Sequence, residues 1–197
     1  MNRKQLLIVF VIVAIVLAVI IVLLATGGST PENSTEDARD DVVISEGDNP
    51  PEDPSLADIV DASVTDEGGQ IVFEATVATE IPDDLGSLGL DWKWELYEGG
   101  ATTWIVSANL DVGENATVFS PSSGTSYSTI DDRLPGEITI EGATLRLALD
   151  TTEIDGFPSD FTWKLTTKLD GAKGEAGSAT ADDFAPDRGF GEFPLPD

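Results

Sequence analysis

In the stretch DFTWKLTTKLD, residues 160–170, Phe161, Trp163, Leu165 and Leu169 alternate with Thr162, Lys164, Thr166, Lys168 and Asp170. Successive side chains of an extended chain point to opposite faces, so this order buries one face and wets the other. The pattern recurs. In QIVFEATVAT, Ile71, Phe73, Ala75 and Val77 share a face, and in TLRLAL Leu145, Leu147 and Leu149 oppose Arg146. In LDWKWELY, Trp92, Trp94 and Leu96 lie opposite Asp91, Lys93, Glu95 and Tyr97. In TTWIVSANL, Trp104, Val106, Ala108 and Leu110 lie opposite Thr103, Ile105, Ser107 and Asn109. All four tryptophans of the chain therefore fall in phase with aliphatic residues, the register of indoles that fill the space between two sheets. Turn signals punctuate the runs: Asp66-Glu67-Gly68-Gly69, Glu98-Gly99-Gly100, Glu141-Gly142 and Asp155-Gly156-Phe157-Pro158. About eight or nine strands without an amphipathic helix predict an all-β domain over residues 57–197. The expected architecture is an antiparallel β-sandwich of Ig-like or jelly-roll-like kind.

Before this domain stands LLIVFVIVAIVLAVIIVLLA, residues 6–25, with no charged or polar side chain. As a helix at ~1.5 Å per residue it would span ~30 Å, the hydrocarbon thickness of a bilayer. Arg3 and Lys4 precede it and acids follow it, so residues 1–5 are expected in the cytoplasm and the domain outside. This predicts a single-pass cell-membrane protein with a retained transmembrane anchor. A cleaved signal peptide is the alternative; its apolar region usually runs ~7–15 residues, though Ala25, Gly27 and Gly28 would permit cleavage. A pilin-type leader shares the general shape, but Lys4 stands where a small residue is expected before Gln5. Without cysteine, a lipoprotein anchor is excluded. Residues 26–56 (TGGSTPENSTEDARDDVVISEGDNPPEDPSL) are rich in proline, glycine, hydroxyls and acid, with one short apolar patch at 42–44. They are expected as a disordered tether.

Charge and missing residue types narrow the chemistry. There is neither cysteine nor histidine, so disulfides, thiolate chemistry and Ser-His-Asp or Cys-His catalysis are absent. Acids outnumber bases 37 to 10, and past the apolar run the balance is 37 to 8, a formal charge of −29. Such a surface repels nucleic acid and attracts cations. With only four lysines after the run, it resembles the surfaces of proteins from salt-loving microbes.

Within this acidic background, Asp182, Asp183 and Asp187 in ADDFAPDRGFGEF are hard oxygen donors on a turn-rich segment and form a candidate calcium site. The pairs Asp83-Asp84 and Asp131-Asp132 read as solvated surface. Asn33-Ser34-Thr35 and Asn115-Ala116-Thr117 are glycosylation sequons, so Asn33 and Asn115 are candidate acceptors.

Three pieces, DIVDASVTDEGGQIVFEATV, GATLRLALDTTEIDGFPSDFTWKL and DDFAPDRG, occur in an order that resembles the DOMON-like β-sandwiches, related to family 9 carbohydrate-binding modules. Phe161 and Trp163 match the F-x-W core pair of that family, and DFAPD from Asp183 to Asp187 its acidic segment. The resemblance covers about residues 57–189. It implies an extracellular module that binds sugar, haem or another ligand, or has no known ligand. The haem-binding kind uses methionine and histidine, and this chain has no histidine and only Met1. The sugar-binding kind stacks sugars on exposed aromatics, for which Tyr97, Tyr127, Phe119 and Phe190 remain, Tyr97 and Tyr127 foremost.

The expected function is a non-catalytic, membrane-anchored binding or adhesion module of the cell envelope, its partner a surface glycan or an envelope protein. An accessory ectodomain of a membrane complex is the alternative. An enzyme would need two carboxyls ~5–10 Å apart across a cleft.

Overall fold

The computed structural model describes residues 34–110, 115–171 and 178–193. The described strands are β1 (Ser34–Glu36), β2 (Val43–Ile44), β3 (Ile59–Asp66), β4 (Ile71–Val77), β5 (Gly89–Glu98), β6 (Ala101–Asn109) and β7 (Asn115–Ser120). They continue as β8 (Thr125–Ser128), β9 (Gly136–Glu141), β10 (Thr144–Leu149), β11 (Phe161–Asp170), β12 (Thr180–Ala185) and β13 (Gly191–Phe193). Two antiparallel sheets result. The smaller has the order β1-β3-β4-β10-β9, and the larger the order β2-β12-β11-β5-β6-β7-β8. One edge of β11 pairs with β5, while β12 and β13 share the other edge end to end.

Local chemistry explains the hairpins. Between β5 and β6 the turn is made by Gly99 and Gly100, with φ of 57° and 87°. Both sit in the left-handed region that a two-residue hairpin demands and a side chain resists.

The alternation read from the sequence sorts the faces. Trp92, Trp94 and Trp163 are fully buried, and Trp104 is 5% exposed. Phe73 of the smaller sheet meets Trp94 of the larger with ring centroids 5.5 Å apart, so the two inner faces share one core. Packing at Trp163 is close enough to dictate its neighbour: a methyl group on Gly191 would overlap the indole, so β13 can pair there only with glycine at that position.

Polar residues also stand on the inner face, among them Ser120, Thr167 and Asp183. Thr167 and Asp183 are buried and lie opposite each other across the β11–β12 pairing. The Thr167 hydroxyl donates to the carbonyl of Ala57, and Asp183 Oδ2 accepts from the backbone N–H of Ile59 at 2.7 Å. Together they hold the chain as it enters β3, linking an edge of the larger sheet to the smaller one.

From residue 34 onward the expected disordered tether is corrected. Those residues belong to the same compact unit as the main strands. β1 pairs with β3, and β2 pairs with β12. The Ser45 N–H donates to Thr180 at 2.9 Å, the Ala179 N–H donates to Asp48 at 2.8 Å, and Pro51 is buried. The domain therefore begins well before residue 57. Composition pointed the other way because the segment has too few apolar residues to build a core. An edge strand needs only main-chain partners on a sheet that already exists.

The apolar run at 6–25, the tail before it and Asn33 lie outside the described residues. Among the described residues no helix is long and apolar enough to cross a membrane.

Candidate functional site

Five aspartates from three separate stretches meet where the chain crosses between sheets. Asp37 and Asp41 lie between β1 and β2, Asp58 immediately before β3, and Asp183 and Asp187 on and just after β12. Because β1 belongs to the smaller sheet and β2 to the larger, residues 37–42 carry the chain from one to the other. One carboxylate oxygen from each of Asp41, Asp58 and Asp183 lies within 4.8 Å of the other two. The same holds for Asp37, Asp41 and Asp187, so Asp41 belongs to both groups.

Backbone donors orient these carboxylates. Asp183 accepts from the N–H of Ile59 on one oxygen and from its neighbour Phe184 on the other, at 2.7 and 2.8 Å. Asp58 Oδ2 accepts from the Asp40 N–H at 3.0 Å, and Asp37 Oδ1 from the Asp187 N–H at 3.4 Å. Three oxygens are left over: Asp37 Oδ2, Asp41 Oδ1 and Asp58 Oδ1 are buried without a hydrogen-bond partner. Asp58 and Asp183 are only 1% and 2% exposed. The ion pairs among the described residues all lie elsewhere, at Lys93–Glu95, Arg133–Asp131, Arg146–Glu67 and Lys168–Asp170.

Crowding of like charges shows in the acidities. Burial, then the charges of Asp183 and Asp187, push the Asp37 carboxyl up to about 7. Burial also raises Asp183, to about 6; the N–H groups of Ile59 and Phe184 oppose this, and Asp41 and Asp58 add to it. Asp41 is raised by burial and by its contact with the Asp187 carboxyl. A site of this kind can hold protons or a hard cation, and it offers no nitrogen or sulfur donor.

Of the aspartates read from the sequence, Asp183 and Asp187 come together here and Asp182 does not. The alternation of β12 sends Asp182 to the opposite face, where it accepts the Thr180 hydroxyl at 2.7 Å. Asp37, Asp41 and Asp58 escaped the sequence reading. The available signals were the acid placed in phase with Ala181 and Ala185 at position 183, and the apolar patch at 42–44 inside an otherwise polar segment.

The aromatic candidates divide. Tyr97 stands on the outer face of the larger sheet, edge-on to Phe190 with centroids 5.0 Å apart. Its hydroxyl donates to Glu95 at 2.7 Å, and Lys164 Nζ lies 4.8 Å from the centre of the Phe190 ring. Burial, then the Glu95 contact, raise the Tyr97 hydroxyl above its ordinary range. Beside it is an open cleft of about 540 Å³, walled by Tyr97, the Gly99-Gly100 turn, Asp160, Phe161 and Thr162. Tyr127 instead lies in register with buried Val118 and packs against the core. Phe119 is exposed. Asn115 is half-buried on β7, and its Oδ1 accepts from the hydroxyls of Ser128 and Thr129 at 3.1 and 3.0 Å. Asp83, Asp84, Asp131 and Asp132 are all exposed.

Comparison of the chain with protein-family models, curated proteins and solved structures gives no match.

Proposed function

We propose that the protein is a non-catalytic binding module of the cell envelope, held at the membrane by residues 6–25 with its β-domain outside. The observation that carries the binding reading is the cleft beside Tyr97. It joins an aromatic wall, stiffened by Phe190, to the polar groups of Asp160 and Thr162. An aromatic face beside convergent polar groups suits a sugar ring, which has apolar C–H faces and hydroxyl edges. The DOMON-like resemblance, an Ig-like or jelly-roll-like classification of the two sheets, and adaptation to high salt all belong to this proposal.

The test is calorimetric titration of the full chain, in mild detergent, with envelope polysaccharides. Heat is the right readout, because all four tryptophans are buried and would report poorly on a ligand at Tyr97. Saturable binding that weakens at least tenfold in Tyr97→Ala, ~1.4 kcal/mol or more, supports the reading. Absence of heat from a folded chain overturns its glycan form.

A second reading, an accessory ectodomain of a membrane complex, draws on a different observation. Val43, Ile44 and Phe184 are exposed on the neighbouring strands β2 and β12, at an edge of the larger sheet. Copurification of a fixed envelope protein, lost in Phe184→Ser, would favour it.

A further inference from the structure

We propose that Asp41, Asp58 and Asp183 bind a calcium ion, with Asp37 and Asp187 flanking it, and that the ion fastens the first segment of the domain across both sheets. This goes beyond the binding reading and is independent of it.

Geometry comes first. Two oxygens on one calcium, each 2.3–2.6 Å from it, are separated by at most about 5 Å. The oxygens of Asp41, Asp58 and Asp183 satisfy that limit in every pairing. An isolated cluster of acids would be weak evidence, since exposed acids crowd often in so acidic a chain. The decisive feature is Asp58. It is almost completely buried, one of its oxygens has no hydrogen-bond partner, and its carboxylate belongs to the cluster. Asp41 and Asp37 each add a further buried oxygen without a partner. Unpaired carboxylate oxygens are costly to bury, and among the described residues no lysine or arginine pairs with them. A cation supplies the missing charge.

The donor set selects the ion. Carboxylate oxygens without histidine or cysteine disfavour zinc and copper. Calcium accepts irregular arrays of six to eight oxygens, whereas magnesium demands a near-ideal octahedron and gives up water reluctantly. The backbone N–H groups of Asp40, Ile59 and Phe184 hold the Asp58 and Asp183 carboxylates in place, as outer groups commonly do at metal sites.

The consequence is structural. Asp41 lies on the stretch between β1 and β2, Asp58 immediately precedes β3, and Asp183 sits within β12. One ion therefore links the crossing stretch to both sheets.

The experiment uses the full chain in mild detergent, stripped with a chelator that is then removed, at pH 8 and fixed ionic strength. Calcium chloride is added, with magnesium and sodium chloride as controls. A single saturating calorimetric transition below about 1 mM is expected. A melting temperature about 5–10 °C higher is expected once calcium exceeds its Kd by ~100-fold. Asp58→Asn and Asp183→Asn should abolish both effects. If either fails to fold, Asp41→Asn serves instead, because its side chain is only partly buried and lies outside the apolar core. Loss of calcium binding in a folded variant supports the assignment. No saturable binding to the stripped wild-type chain overturns it, leaving a cluster that holds protons alone. Unchanged binding in the folded variants overturns it equally, because the ion would then sit elsewhere.

Discussion

The tryptophan-rich strands fill the space between the sheets, whereas the aspartate crossing runs from buried Asp58 and Asp183 out to exposed Asp187, and the two are built by opposite physics. Around Trp94 and Trp163 the packing is dominated by apolar side chains, and the burial of these rings outweighs the cost of leaving their indole N–H groups without a hydrogen-bond partner. Around Asp58 the neighbours include carboxylates that repel one another; backbone N–H groups offset part of that repulsion, and a proton or the proposed cation would offset the rest. The first region is self-sufficient. The second is conditional on what the solvent contains, so one domain carries a constant core beside a clasp that responds to conditions.

Removing an indole should have the largest effect. Trp94→Ala should cost about 3–5 kcal/mol, read as a shift in urea midpoint, and the loss should be the same with calcium or with chelator. A loss that depended on calcium would mean that the two regions are coupled and the contrast is false.

A smaller effect should separate the two regions by pH. Without a cation, folded Asp183 and Asp37 keep their protons to about 6 and 7, whereas the unfolded chain releases them near 4. Proton binding therefore favours the folded state. This contribution is fully present below about pH 4 and is lost as pH rises through 6 to 7. Melting in chelator should accordingly show the domain losing about 3 kcal/mol or more between pH 4 and 8, mostly through buried Asp183, since water screens the partly exposed Asp37. Asp183→Asn should flatten much of that slope. A stability that rises over the same interval would count against the crowded cluster.

The smallest effect belongs to charges outside both regions. Glu67 meets Arg146 at 2.7 Å on the outer face of the smaller sheet, with both side chains in reach of water. Glu67→Gln should change stability by less than about 0.5 kcal/mol, and still less in high salt. A larger cost would show that surface pairs matter here as much as the buried aspartates.

Much of the fold was legible before any coordinates. The phase of Trp92, Trp94, Trp104 and Trp163, the glycine turns and the all-β class each rest on neighbours two residues apart, an interaction that the order of residues displays directly. Two of the five clustered aspartates were legible too, Asp183 and Asp187 on one short segment, together with Asp182, which faces the other way. The rest were not, because Asp58 and Asp183 are far apart in the chain and meet only where β12 of one sheet packs on the start of β3 of the other, while the pairings of β1 and β2 bring Asp37 and Asp41 to them. The edge role of residues 34–56 was hidden for a related reason. Its stability is borrowed from sheets made elsewhere, so its own composition argued for disorder.

By itself, then, the order of residues determined the strand faces, the buried indoles, the absence of histidine and thiol chemistry, and a strongly acidic exterior. Tertiary structure decided which of the 37 acids lie together, which tyrosine packs on the core and which against Phe190, and that strands begin ahead of residue 57. The division follows the range of the forces. Side-chain alternation acts over two residues and is written locally, whereas a cluster of like charges exists only when long-range strand pairing forces it together.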